Sequence, residues 1–266
     1  MTPYKISIVT ASFNQGLFIA EAIESVLAQG YPQFEHIIVD NCSTDQTSEV
    51  LKRYGHLKVI CEKDKGQSDA LNKGFKAATG NIIGWLNADD KYLPGCFKAV
   101  IEAMDKEPSC DVLYGDYRFV DVKGNLIRVR KELGFDLFML KYLHVLYIPT
   151  TATFFNRKVF DEKNFLDINY HYAMDYEFFV RLAGQGYTFG HIPRVMADFR
   201  WHEQAKSQQR HKSKAEMEKA LIVQDKFLQG LKPPLRSLVR DLLCAIARLK
   251  RYTLKFLSGA YFVRSS

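Results

Sequence analysis

Over the first hundred residues the apolar positions follow two periods in alternation. ISIVTA, HIIVD, LKVICE and NIIGWLN are short β-branched runs, whereas Ile19, Ile23, Val26 and Leu27 recur at helical spacing. Ser43 or Thr44 is expected to cap the second helix, and Gly66 with Ser68 to open the third. Strands alternating with helices imply α/β architecture: a mostly parallel, Rossmann-like sheet with helices on both faces. After Pro108 the pattern changes. CDVLYGDYRFVD and LIRVRKE flank the turn VKGN and read as an antiparallel pair, FDLFMLKYL as a short helix and TATFFN as a returning strand. A helix over 171–186, an extended YTFGHIPRVMADFRWH and a polar helix over about 205–229 complete an α+β half, expected to lie over the carboxyl edge of the first. Pro233-Pro234 then breaks the chain. Beyond it, Leu235, Leu238, Val239, Leu242, Leu243, Ile246 and Leu249 mark one side of an amphipathic helix, and Arg236, Arg240, Arg248, Arg251 and Lys255 the other. The organisation expected is 1–108, then 109–230 as the second half of the same domain, then a basic tail over 231–266.

Composition narrows the class. A chain of 266 residues, 47% of them hydrophobic, holds an ample core, so disorder is not expected. Cys42, Cys61, Cys96, Cys110 and Cys244 show no metal-ligand spacing, and KISIVTAS enters a strand without a signal-peptide pattern, which points to a reducing, cytoplasmic setting. No apolar run reaches the roughly 20 residues of a membrane span. The net charge of +7 sits in the tail: residues 231–266 hold eight of the 37 basic residues, Arg264 among them, and one of the 30 acidic ones. A neutral body, without lysines interleaved among sheet aromatics, argues against nucleic acid as a partner.

The acids of IGWLNADDKYLPG stand where an apolar strand ends, at the edge where open α/β sheets bind ligands. A carboxylate there suits a hard divalent cation, manganese or magnesium, whose other ligands come from phosphate oxygens. Asp89 and Asp90 point in different directions, so only one is expected to be the principal ligand; solvated turn residues are the blander alternative. TASFN (10–14), VDNCSTD (39–45) and EKDKGQSDALNKG (62–74) bring polar groups to the same edge. In MADFRWHEQAKS, alternation puts Asp198, Arg200 and His202 on one side of a strand, with His202 as a second metal ligand and Arg200 as a pyrophosphate contact. Glu177 and Arg181, four apart on one helix, read as a structural ion pair.

Together these stretches resemble the nucleotide-binding half of family 2 glycosyltransferases, whose fold is GT-A-type. The family commonly has VDDGSTD after its second strand and a DXD-type LDADD after its fourth, where this chain has VDNCSTD and LNADD. The resemblance covers about residues 4–205 and rests on the ordered series of motifs. It implies that Ala11 and Phe13 line the base pocket, that Asn41 addresses the nucleobase, and that Asp69, Asn72, Asn87 and Ala88 face the nucleotide or donor sugar. Asp89 becomes the metal ligand. Leu71 stands where many members have arginine. YAMDYEFF resembles the family's ED-type segment, with Asp175 as catalytic base and Met174 in place of the preceding acid; a helix N-cap is the structural alternative for Asp175, and Glu177 the substitute base. TTATFF (150–155) resembles the segment beneath the acceptor. The family activity implied is a metal-dependent, inverting transfer of a hexosyl or N-acetylhexosaminyl group from a nucleotide-sugar, a UDP-sugar by preference. The acceptor is a glycan or lipid-linked glycan hydroxyl in surface polysaccharide, O-antigen or capsule assembly. The tail would then make a peripheral contact with the inner face of the cell membrane. A catalytically weak sugar-nucleotide- or glycan-binding scaffold is the competing expectation.

Overall fold

Each β-branched run of the first hundred residues forms a strand, and each stretch of helical spacing between them a helix. In chain order these are β1 (Ile6–Ser12), α1 (Ile19–Leu27), β2 (Phe34–Asp40), α2 (Thr47–Leu51), β3 (Leu57–Cys61), α3 (Gln67–Ala77) and β4 (Ile82–Trp85). The computed structural model describes residues 4–143, 145–202, 206 and 209–260. A two-residue β5 (Lys91–Tyr92), α4 (Cys96–Lys106), the antiparallel β6 (Val112–Val120) and β7 (Leu126–Arg130), and α5 (Leu137–Tyr142) follow. Then come a 3-10 turn over Thr150–Ala152, β8 (Thr153–Asn156), α6 (Lys158–Asp161), α7 (Met174–Gly184), β9 (Phe189–Arg200), α8 (Arg210–Gln224), α9 (Lys226–Gln229) and α10 (Pro233–Leu257).

The strands make one sheet in the order β3-β2-β1-β4-β8-β6-β9-β5, with β7 added to β6. The first four are parallel, β8 runs antiparallel between β4 and β6, and β9 pairs parallel with β6. The sheet of the first half is thus parallel, as expected, and the antiparallel additions make the whole sheet mixed. The second half continues that sheet, β8 covering the edge that the apolar β4 would otherwise leave open, and it also reaches the carboxyl edge of the first, where Tyr170 and Met174 meet Ser68 and His202 meets Asp89. Period-two alternation then splits the core. Val9, Ile83 and Trp85 face α3, α7 and α8, whereas Ile6, Ile8 and Ile82 face α1 and α4.

Two local expectations are corrected. Neither Ser43 nor Thr44 caps α2: the Ser43 hydroxyl donates to Asp40, and Asp45 takes the Thr47 N–H at 2.9 Å. The polar helix is α8, starting at Arg210, and it stops at Asp225, whose carboxylate accepts the Phe227 and Leu228 N–H groups and so begins α9. Part of the stretch expected from 205 lies outside the described residues. The break expected at Pro233-Pro234 is present between α9 and α10, and the two prolines themselves form the first turn of α10, where a missing N–H costs nothing.

The faces of α10 are turned the other way from the expected membrane contact. Its cations serve the body: Arg251 and Lys255 both meet Glu132 at 2.9 Å, Lys250 pairs with Asp136, Arg240 with Glu218, and Arg236 donates to the Gln229 and Leu231 carbonyls. The Glu132 side chain is 1% exposed, so this contact is an inner layer of the protein. The apolar side is divided: Val239, Leu243, Cys244 and Ala247 face the body, whereas Leu238 and Leu249 face outward, 69% and 68% exposed. Arg264 lies outside the described residues. No helix among the described residues is long and apolar enough to cross a membrane.

Candidate active site

The carboxyl ends of β1 and β2 are zipped together by side chains reaching backbone. Asn14 donates its N–H to Ser43 Oγ at 2.8 Å and accepts the Thr44 N–H on Oδ1 at 2.9 Å. Gln15 and Gly16 donate to Thr47 Oγ1 and Asp45 Oδ2, both at 3.0 Å. Asn14 and Cys42 both sit at φ 53°, a left-handed conformation that these many contacts hold in place. Gly16 is required by closeness: a Cβ there would lie 2.4 Å from Gln46 Cγ and 2.9 Å from the Thr47 nitrogen. The cleft beside this zipper presents Phe13, 52% exposed, with Ala11 half-buried behind it. Asn41 Oδ1 accepts the Asp64 N–H at 3.0 Å, so its NH2 group is what the side chain offers a ligand. Asp69 stands in the first turn of α3, accepting the Lys65 N–H at 3.0 Å and lying 3.6 Å from the Lys73 ammonium.

After β4 the two acids diverge. Asp90 turns inward, where Oδ1 accepts the Arg200 N–H at 2.9 Å and Oδ2 the Asn87 amide at 2.8 Å; burial and the adjacent Asp89 push its pKa well up. Asp89 turns outward, its side chain 23% exposed, and Oδ2 lies 2.9 Å from His202 Nε2. The two groups are hydrogen-bonded to each other, and a carboxylate oxygen beside an imidazole nitrogen is a donor set that manganese would accept. No group of three His, Cys, Asp or Glu side chains converges among the described residues. A divalent ion here would draw its other ligands from phosphate and water, as magnesium and manganese commonly do.

Three donor-site expectations are corrected, each by a long-range partner. Arg200 does not reach toward a diphosphate: its side chain is 1% exposed, and its guanidinium donates to Glu21, to the Asp89 carbonyl at 2.9 Å and to the Val122 carbonyl at 2.7 Å. It braces the turn that carries Asp89. Asn72 exchanges both hydrogen bonds with the Leu166 backbone, at 2.8 and 2.9 Å, and ties α3 to the second half. The Ala88 methyl is buried among Ile19, Ile23 and Ile38. Asn87 is spent within its own turn as well. It accepts from the Trp85 indole at 3.1 Å and from Gln67 at 3.3 Å while donating to Asp90; a carboxylate in its place would repel the buried acid.

In the second half, Asp175 lies in the first turn of α7. Burial pushes its pKa up to about 6, against the opposing pull of the Tyr176 N–H and the Lys206 ammonium. It is not the N-cap. Glu216, from α8, takes the N–H groups of His171, Tyr172 and Ala173 at 3.0, 2.6 and 2.9 Å, leaving the Asp175 carboxylate available to chemistry. Glu177 cannot substitute as base: it is buried and paired with Arg181 at 2.7 Å, with Gln224 donating to the same oxygen. Thr150, Thr151 and Thr153 are buried, and the Thr153 hydroxyl donates to the Pro149 carbonyl. Glu216 and Lys206 were not legible as site residues, since each follows Asp175 by 31 residues or more in unremarkable polar sequence.

Among known proteins, the chain is 34% identical over 131 residues to the putative teichuronic acid biosynthesis glycosyltransferase TuaG of Bacillus subtilis (strain 168), covering 47% of this chain and 52% of that one. It is 25% identical over 206 residues, 73% of this chain and 70% of the other, to an uncharacterized glycosyltransferase of Methanocaldococcus jannaschii. The matched region spans 36%, 22% and 52% of the length of three curated relatives, at most about half of each. Two solved structures share the GT-A-type fold. S. aureus TarS 1-349 with UDP-GlcNAc has a TM-score of 0.67 at 18% identity, covering 91% of this chain and 71% of that one. The Pyrobaculum calidifontis mannosyltransferase PcManGT, in complex with GDP-Man and Mn2+, has a TM-score of 0.67 at 16% identity, covering 100% and 77%. The family description Glycosyl transferase family 2 matches residues 7–163, more than half of the chain and all four motif-bearing strand ends, and the chain belongs to that family.

Proposed function

We propose that this protein transfers a sugar, with inversion, from a UDP-sugar to a hydroxyl of a glycan or lipid-linked glycan in cell-surface polysaccharide assembly. The observation that carries the reading is the carboxylate–imidazole pair Asp89–His202 at the strand-end edge, together with Asp175, whose pKa is about 6 and which shares the Lys206 ammonium as a neighbour with Asp64 of the first half. The teichuronic acid role named for TuaG and the UDP-GlcNAc bound by TarS support the acceptor and donor classes. Phe13 offers a flat apolar surface to the base and Asn41 a hydrogen-bond donor. Asp89 and His202 would hold a divalent cation, which supplies positive charge beside the departing diphosphate. Asp175 accepts the proton of the acceptor hydroxyl as its oxygen bonds to the anomeric carbon and the bond to the diphosphate breaks. One displacement gives inversion. Glu216 and Lys206 fix the position and charge environment of that base.

Calorimetric titration of UDP, with and without manganese and beside Asp89→Ala, tests the reading. Metal-dependent binding that weakens by roughly tenfold or more in the variant is expected. No UDP binding under any condition overturns the UDP-sugar reading, and UDP binding unaffected by Asp89→Ala places the nucleotide elsewhere.

A further inference from the structure

The outward face of α10 is spaced as a heptad. Leu235, Leu238, Leu242, Ala245, Leu249 and Tyr252 follow one another at intervals of three and four, and all six are exposed, the four leucines by 50 to 69% and Tyr252 by 62%. Two exposed charges stand on one margin, each immediately before a seam leucine: Arg248, and Asp241, whose Oδ1 accepts from Arg240 and whose side chain is still 69% exposed. An interfacial membrane helix needs cations flanking its apolar side. Here Arg236, Arg240, Lys250, Arg251 and Lys255 are committed to the body instead. What remains outward along the seam is an apolar row flanked by Arg248 and by Asp241, which Arg240 also contacts, with Lys232 exposed at the N-terminal end; an apolar row with one acid and one base at its margin is the recognition pattern of a second helix.

We propose that this seam is the interface between two copies of the chain, their α10 helices packed antiparallel across a two-fold axis. In a parallel pair the margin charges would face Ile246 and Thr253 of the other copy. Reversing one helix sets Asp241 of each copy beside Arg248 of the other, and layers Leu235 on Tyr252, Leu238 on Leu249 and Leu242 on Ala245, each pair occurring twice. The contact is isologous and closes on itself, so it makes a dimer and not a filament. The seam offers on the order of 500 Å² of apolar surface per copy, about 1,000 Å² for the pair, the size at which contacts become specific.

Sedimentation equilibrium of the full chain over a concentration series tests this. The expected mass is twice the 30.6 kDa of one chain. Leu238→Glu combined with Leu249→Glu places like charges in the seam and weakens the dimer by roughly tenfold or more. Asp241→Arg and Arg248→Asp each weaken it several-fold, and the two together restore it, a rescue that misfolding cannot imitate. A chain that is monomeric throughout, a dimer indifferent to the glutamates, or a double reversal no better than either single change overturns the proposal. Phosphatidylcholine vesicles containing phosphatidylglycerol provide the competing arm: the chain is expected to stay in the supernatant, and a monomer that pellets with them overturns the dimer in favour of a lipid surface.

Discussion

Replacing Asp175 by asparagine is expected to make the fold more stable while removing its proposed chemistry. The carboxyl has a pKa of about 6 in the folded chain against an ordinary 3.8, with burial as the main cause. Between those values the folded state binds more protons than the unfolded one, so stability falls as pH rises from about 4 to 6 and the full cost is present above that. A shift of this size corresponds to about 3 kcal/mol, and allowing for the partial exposure of the side chain leaves about 1.5–3 kcal/mol. Asparagine carries no charge to desolvate, and its carbonyl oxygen can still accept the Tyr176 N–H that Asp175 holds at 2.8 Å. Guanidinium unfolding of both proteins near pH 7.5 should therefore show the variant more stable by about that amount, with the difference vanishing near pH 4. In the same protein, transfer should drop by roughly 10²–10⁴ while UDP binding persists. A variant that is less stable at neutral pH, or a difference that does not change with pH, would refute the assignment of a desolvated, ionised carboxylate at this position.

Two further substitutions test the scaffold. Gly16→Ala forces a Cβ against the Thr47 nitrogen and Gln46, and is expected to cost about 1–3 kcal/mol and to weaken UDP binding with it; a variant with wild-type melting temperature would show that the zipper yields easily. Glu132→Ala leaves Arg251 and Lys255 facing each other without their buried acid, and is expected to cost about 3 kcal/mol and to open residues 233–257 to proteolysis; an unchanged cleavage pattern would show that α10 is held by its apolar contacts alone.

The elements of the first half were legible because their signals are local. Period-two runs, helical spacing and polar residues at strand ends need no knowledge of partners, and the outward Asp89 and inward Asp90 follow from adjacent positions in a turn. What escaped the sequence depends on groups far along the chain. Arg200 looks like a phosphate ligand until Glu21 and the Val122 carbonyl are brought to it, and Asn72 looks like a sugar contact until Leu166 arrives. The seating of α10 is the same case. Amphipathicity showed two faces, but which cations meet the protein was decided by Glu132, Asp136 and Glu218, acids scattered over a body whose total charge is zero, while Val239, Leu243 and Ala247 add apolar contacts beside them.

The links between α3 and the second half bear on timing. Ser68 donates to the Tyr170 carbonyl and to Met174 Sδ, and Asn72 grips Leu166, so one helix touches the donor cleft at its first turn and the approach to α7 along its side. In the proposed reaction, a nucleotide seated against that first turn would rest on the same helix that holds the segment leading to Asp175. Donor and base would then share one support, so that a donor held out of register would also be out of register with the proton acceptor.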